Sequence, residues 1–309
     1  MSFRCGYVAI VGRPNAGKST FLNRVLGTKV SITSKKAQTT RNRVIGILNT
    51  AQAQVVLVDT PGHHEAWSRI NKAMVREVDA ALAEVDAVLL LVDLVPAVKA
   101  AKADKAVLSK GDEVLLERCA ATKRPVVLGL NKIDLIEPEW ALPVLQRWSE
   151  VHDFAALVPL SALKGDNSAD VLAELMPLIP EHPPMFPTDQ LMDTTERFVV
   201  SEIVREKLFH NLDQELPYSV AVVVETFDES ERDTPSKRIH VMATILVERP
   251  SQKGIVIGKG GSMLKRVGTQ ARKELNRILD ARVHLDLHVR VQKDWTTSER
   301  MLKDLGLES

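Results

Sequence analysis

The sequence predicts an α/β domain with a mostly parallel sheet over residues 1–180, then a smaller α+β domain over residues 191–309. Three observations predict it. Over the first 180 residues short apolar runs alternate with helical patterns, which builds parallel strands with helices on both faces. Four prolines within residues 180–187 cannot continue a helix, so 181–190 reads as a semi-rigid linker. Beyond it the pattern becomes helix, strand, strand, helix, strand.

The chain has 309 residues, 45% of them apolar, enough for two real cores. Cys5 and Cys119 are the only cysteines, too few to staple such a fold and without metal-ligand spacing. No apolar run approaches the roughly 20 residues of a membrane span. The most apolar, 87–92, is bracketed by Asp86 and Asp93. The first strand begins almost at the N-terminus, so no leader is expected, and a soluble, cytoplasmic chain is expected. Net charge is +1, but residues 249–293 hold 11 Lys+Arg against 3 Asp+Glu, whereas 181–248 hold 6 against 14. A basic block inside a folded domain points to a polyanionic partner.

The apolar run 7–11 leads into Gly12-Arg13-Pro14-Asn15-Ala16-Gly17-Lys18-Ser19, and Thr20 to Leu26 continue with apolar residues at helical spacing. Strand, glycine-bounded turn and helix in that order are the context of a phosphate-binding P-loop. Its glycines let amide N–H groups point inward, and the helix adds its positive end. Lys18 is placed to reach the β- and γ-phosphates, and the Ser19 hydroxyl to bind Mg²⁺.

Residues 35–41 are polar and aperiodic, so they form a loop. A second hydroxyl for the metal and γ-phosphate belongs there; Thr40 is preferred, with Thr39 a close alternative that spacing does not separate. Strands follow at 44–48 and 54–58. The second ends in Asp59-Thr60-Pro61-Gly62, where Asp59 serves Mg²⁺ and the Gly62 amide senses the γ-phosphate. His63 and His64 are loop residues near the phosphates. Residues 65–85 read as helix, and 87–92 as a buried strand. The Ala/Lys-rich stretch 97–110 is a solvated helix or an excursion.

A strand at 125–130 runs into Asn131-Lys132-Ile133-Asp134. The Asp134 carboxylate can accept two hydrogen bonds from guanine N1–H and N2, a match adenine lacks, which excludes an adenine-reading kinase and is worth about four to five orders of magnitude. Asn131 braces the neighbouring loops, and the Lys132 stem covers the base plane. Ser161-Ala162-Leu163 follows the last strand, and the Ala162 amide is suited to the guanine carbonyl. The order and strand-end placement of these motifs are those of a GTPase.

After the linker a helix is expected at 194–211, with Phe198, Ile203, Val204 and Leu208 on one face. Strands follow at 220–224 and 239–245. Ile257-Gly258-Lys259-Gly260-Gly261 then leads into a helix with Leu264, Val267, Ala271, Leu275 and Ile278 on one face and Lys265, Arg266 and Arg272 elsewhere. A GxxG turn before a basic amphipathic helix lets a nucleic-acid backbone approach closely, as in the KH module. The last strand spans 283–291. No HxH or HExxH spacing suggests zinc.

Taken together, GRPNAGKST at 12–20, KAQTTRN at 36–42, DTPG at 59–62, NKID at 131–134, SAL at 161–163, SEIVREK at 201–207, ELPYSV at 215–220 and VIGKGG at 256–261 resemble the Era family of bacterial ribosome-assembly GTPases over essentially the full length. The resemblance implies a P-loop GTPase domain joined to a type II KH domain. It implies GTP/GDP and Mg²⁺ as ligands, and binding near the 3′ end of 16S rRNA during assembly of the small (30S) subunit. It also implies peripheral association with the inner membrane; a monomer is expected. Asn15 matches a position where related GTPases hold a monovalent cation, here K⁺, so Lys18, Asn15 and Thr40 are the catalytic candidates. The family has an apolar residue where this chain has His63, and 97–110 resembles an insertion.

Overall fold

The computed structural model describes residues 2–34, 36, 39–62, 69–213 and 216–306. The chain divides into two compact units, separated between Asp193 and Thr194.

The first unit contains β1 (Arg4–Gly12), α1 (Lys18–Leu26), β2 (Val44–Asn49), β3 (Ala53–Asp59), α2 (Arg69–Glu84), β4 (Ala87–Asp93), α3 (Leu94–Lys102), α4 (Lys110–Ala121), β5 (Val126–Asn131), α5 (Ala141–Ser149), β6 (Ala156–Leu160) and α6 (Ser168–Leu175). Its six-stranded sheet has the order β2-β3-β1-β4-β5-β6, with β2 antiparallel to β3 and every other pair parallel. Val8, Ala9, Ile10 and Val11 in β1 are all buried, as a strand covered on both faces requires. One face packs on Val78 and Leu82 of α2, Val98 of α3, Leu115 of α4 and Trp148 of α5. The strand order turns back at β1, so the carboxyl ends of β1, β3, β4 and β5 form the crevice where such sheets bind ligands.

The Ala/Lys-rich stretch divides between two helices. Asp93 caps α3 by accepting the Val95 N–H at 2.9 Å, and Leu94, Ala97, Val98 and Ala101 are buried. Lys99, Lys102, Lys105 and Lys110 face solvent. Ser109 caps α4 through the Asp112 N–H.

Residues 185–193 lie along the outer edge of the sheet. Ile47 N–H donates to Leu191 O at 2.9 Å, and Asp193 N–H to Ile45 O at 3.2 Å. Buried Gln54 holds the same segment: its Oε1 accepts the Met185 and Phe186 amides at 2.8 and 3.0 Å, and its Nε2 donates to Phe186 O at 2.8 Å. The edge of β2, the strand after the Thr40 loop, is thereby paired.

The second unit contains α7 (Glu196–Asn211), β7 (Ala221–Asp228), β8 (Arg238–Val247), α8 (Pro250–Ile257), α9 (Ser262–Ile278), β9 (Arg282–Val291) and α10 (Glu299–Asp304). β8 pairs antiparallel with β7 and parallel with β9. Val200, Ile203 and Val204 of α7, and Val267, Ala271 and Leu275 of α9, are buried with Ile239, Val241, Ala243 and Ile245 of β8. Phe198, Leu264 and Ile278, expected on those apolar faces, are only half-buried.

One expectation is corrected. The pattern places a single helix between the second and third strands, but residues 250–257 form a separate helix, α8, so the glycine turn joins two helices. Ile255-Val256-Ile257 has β-branched, strand-favouring side chains. Pro250 in the first turn starts the helix, Gln252 Oε1 accepts the Glu248 and Arg249 amides, and burial of Val256 overrides the local preference.

Candidate nucleotide site and RNA-facing turn

The turn between β1 and α1 requires both of its glycines. A Cβ on Gly12 would lie 2.4 Å from Leu91 O, and one on Gly17 would lie 2.0 Å from Asn131 Nδ2. Gly17 is also left-handed, with φ of 101°, as is Asn15 at 62°. Arg13 and Asn15 are exposed, Pro14 is half-buried, Ala16 is buried, and Thr20 sits in the first turn of α1. Lys18 Nζ donates to Gly12 O at 3.1 Å and Arg13 O at 3.2 Å, inside the turn. Burial lowers its pKa to about 8, partly countered by Asp59. A lysine held there supplies a charge that the turn itself cannot neutralise, which suits a phosphate chain.

Asp59 ends β3 fully buried. Its Oδ2 accepts from Ser19 Oγ at 2.7 Å and from Ser31 Oγ at 2.8 Å, and the Ser19 and Thr40 hydroxyls lie 2.9 Å apart. Its Oδ1 is buried without a hydrogen-bond partner. Burial raises the Asp59 pKa, opposed by Lys18 and the two serine hydroxyls. Hard oxygen donors around an unsatisfied buried carboxylate fit Mg²⁺. The structure brings Thr40 to this cluster; Thr39 Oγ1 instead donates to Lys36 O at 2.8 Å. Nothing local in the sequence marks Ser31 as part of this cluster. Thr60 hydrogen-bonds Ile10 O through Oγ1 at 2.8 Å, and Pro61 is buried. Gly62 lies against the P-loop: a Cβ there would be 2.9 Å from Pro14 Cα. His63 lies outside the described residues.

Asn131 ties three motifs together. Its Nδ2 donates to Ala16 O at 2.7 Å, and its Oδ1 accepts the Lys132 and Ala162 amides at 2.8 and 2.9 Å. The Ala162 amide expected at the guanine carbonyl is therefore engaged by Asn131, and a base there would share it. Asp134 is half-buried in the single turn Ile133–Leu135. Ser161 is buried, and its hydroxyl accepts the Lys164 amide at 3.1 Å. Leu163 is exposed, and its carbonyl accepts from Arg24 of α1, a long-range tie without a sequence signal.

In the second unit Gly258, Gly260 and Gly261 all have positive φ, at 73°, 58° and 78°. A Cβ on Gly258 would meet Met263 Cβ at 2.7 Å, whereas one on Gly260 or Gly261 would meet nothing within 4 Å. The first glycine permits the turn, and the other two leave open backbone. Lys259 in the turn and Lys265, Arg266 and Arg272 along α9 are exposed, and Ile257 is half-buried. α9 approaches β9 closely where Gly268 faces Leu287.

Two family models match the chain: the 50S ribosome-binding GTPase model over residues 7–132 and the KH domain model over residues 215–296. GTPase Era of Geotalea daltonii is 47% identical over 308 residues, 99% of this chain and 98% of that protein. The chain belongs to the Era family of GTPases. GTPase Era of Geotalea uraniireducens is 48% identical over 306 residues, with the same coverage. A crystal structure of an Era variant from Aquifex aeolicus bound to GDP·AlF₄⁻ aligns with TM-score 0.90 at 37% identity, over 99% of this chain and all of that one. Era in complex with MgGDPNP and nucleotides 1506–1542 of 16S ribosomal RNA aligns with TM-score 0.91 at 36% identity and the same coverage. Among the described residues, no helix of this Era-family chain is long and apolar enough to cross a membrane.

Proposed function

We propose that this protein is a GTP-hydrolysing switch that binds 16S rRNA near its 3′ end through its KH domain and acts in assembly of the 30S ribosomal subunit. The observation that carries the reading is the assembly of Lys18, Ser19, Thr40 and Asp59 at the ends of β1 and β3, with Asn131 fastening the P-loop to the base motifs. The Era complexes with GDP·AlF₄⁻ and with MgGDPNP plus 16S rRNA support it.

Backbone N–H groups of the turn and of the first turn of α1 cradle the phosphates, Pro14 having none to give, and Lys18 offsets their charge. Ser19, Thr40 and Asp59 hold Mg²⁺, which supplies charge neutralisation on the phosphate oxygens. Asp134 reads the guanine edge, Lys132 covers the base, and Ser161, Ala162 and Leu163 close the pocket. Hydrolysis is by water, slow, and without a covalent intermediate. K⁺ beside exposed Asn15 is the finer part of the proposal, tested by comparing turnover in K⁺ and Na⁺ buffers; equal rates would remove it. The Gly260–Gly261 turn offers open backbone to unpaired nucleotides, with Lys259 in it and Lys265, Arg266 and Arg272 exposed along α9. Peripheral inner-membrane association and a monomeric state belong to the proposal through the family resemblance alone.

The test is GTP turnover by the intact protein and by Lys18→Ala. A wild-type rate well above that of the variant is expected. Equal rates would turn the reading into an RNA-binding protein with a structural nucleotide.

A further inference from the structure

Asp93 closes β4 directly across from Asn131 in the pairing of β4 with β5. Both of its carboxylate oxygens are committed. Oδ1 accepts the Val95 N–H at 2.9 Å and caps α3; Oδ2 meets Lys132 Nζ at 2.5 Å. Lys132 is thus held at both ends. Its backbone is left-handed, with φ of 72°, and its N–H donates to Asn131 Oδ1 at 2.8 Å. Its ammonium is moored to a carboxylate that cannot swing away without uncapping a helix. The side chains of Lys132 and Asp93 are only 28% and 26% exposed, so salt screens this pair less than a pair in open solvent.

A lysine stem samples many rotamers when free, and ordering it at the moment of binding weakens affinity. A stem already stretched between two fixed points avoids that loss. We propose that Asp93 is a positioning residue for guanine-nucleotide retention, holding the Lys132 stem in place before the base arrives. The proposal rests on the guanine reading of residues 131–134. It also assigns a use to the start of the Ala/Lys-rich segment: α3 and the base pocket share one carboxylate.

The test is a double-mutant cycle on release of a fluorescent GDP analogue from the full chain. Asp93→Asn retains an oxygen to cap α3 and loses the charge; Lys132→Met keeps the apolar stem and loses the ammonium. Each single variant should release GDP about tenfold faster, an ordinary coupling for one close charge pair, and the double variant no faster than either. Melting of the nucleotide-free protein should change little, because the cap survives. Wild-type release rates in Asp93→Asn, or an undiminished effect of that change on the Lys132→Met background, would overturn the proposal. Failure of the wild-type protein to prefer GDP over ADP would instead overturn the guanine reading beneath it.

Discussion

Replacing Asn131 with alanine removes three hydrogen bonds at one buried point. Asn131 is 3% exposed, and its amide bridges Ala16 O, Lys132 N–H and Ala162 N–H at 2.7, 2.8 and 2.9 Å. Each bond contributes about 1 kcal/mol net, and an orphaned buried partner can add more, so the loss is about 3 kcal/mol. Asn131 joins all three loops, so the loss loosens the pocket as well as the fold. These bonds exist without nucleotide, so the loss is read chiefly as stability; GDP affinity falls by the part spent on realigning the loops, roughly tenfold if that part is about 1.4 kcal/mol. If about 1 kcal/mol shifts melting by 2–4 °C in a unit this size, melting should drop by about 6–12 °C. Isothermal titration with GDP and thermal unfolding measure the two effects. A change in affinity below about threefold would refute the claim that one side chain sets the pocket.

The other predictions address separate parts of the molecule. Lys18 has its folded pKa lowered from 10.5 to about 8, so below about pH 8 the fold bears the cost of a buried ammonium; that cost is lifted as pH rises from about 8 toward 10.5, and nucleotide-free stability should rise in that window. Phosphate binding needs the ammonium, so GDP affinity should fall about fourfold from pH 7 to pH 8.5. Lys18→Met should abolish the lysine contribution, leaving only loss of the guanine N1 proton. Gln54→Ala should cost about 2 kcal/mol and expose residues 183–192 to proteolysis, because two amides and a carbonyl of that segment lose their partner; unchanged protection would contradict this. Gly260→Asp meets no atom within 4 Å of the new Cβ but puts a side chain on left-handed backbone (φ 58°), so it should cost about 1 kcal/mol of stability, while a negative charge at the turn weakens RNA binding at least about tenfold.

What the sequence reveals is what has a local signature. Buried strands such as 7–11 and 87–92 are continuous apolar runs, and the glycine-bounded turn needs particular residues at fixed offsets, so the sheet and the motif order are legible. What escapes depends on residues far apart in sequence. Ser31 joins Asp59 only because the chain after α1 returns to β3, and Arg24 reaches Leu163 only because α1 passes the loop after β6. Thr39 and Thr40 are equivalent by spacing, and the path of the loop brings one of them to Ser19. Residues 255–257 favour a strand locally and are helical because Val256 is buried. Gln54 sits in a strand pattern, and nothing in its neighbourhood announces a partner 132 residues away.

A switch, as proposed for this protein, must bind RNA differently with and without the terminal phosphate of GTP. The most direct test measures affinity of the intact protein for an RNA fragment ending in the 16S 3′ sequence, once with GDP and once with a non-hydrolysable GTP analogue. Different affinities are expected for the two nucleotides, and no such difference when Lys18 is replaced by alanine. Identical affinities in the wild-type protein, with both nucleotides shown to be bound, would contradict it.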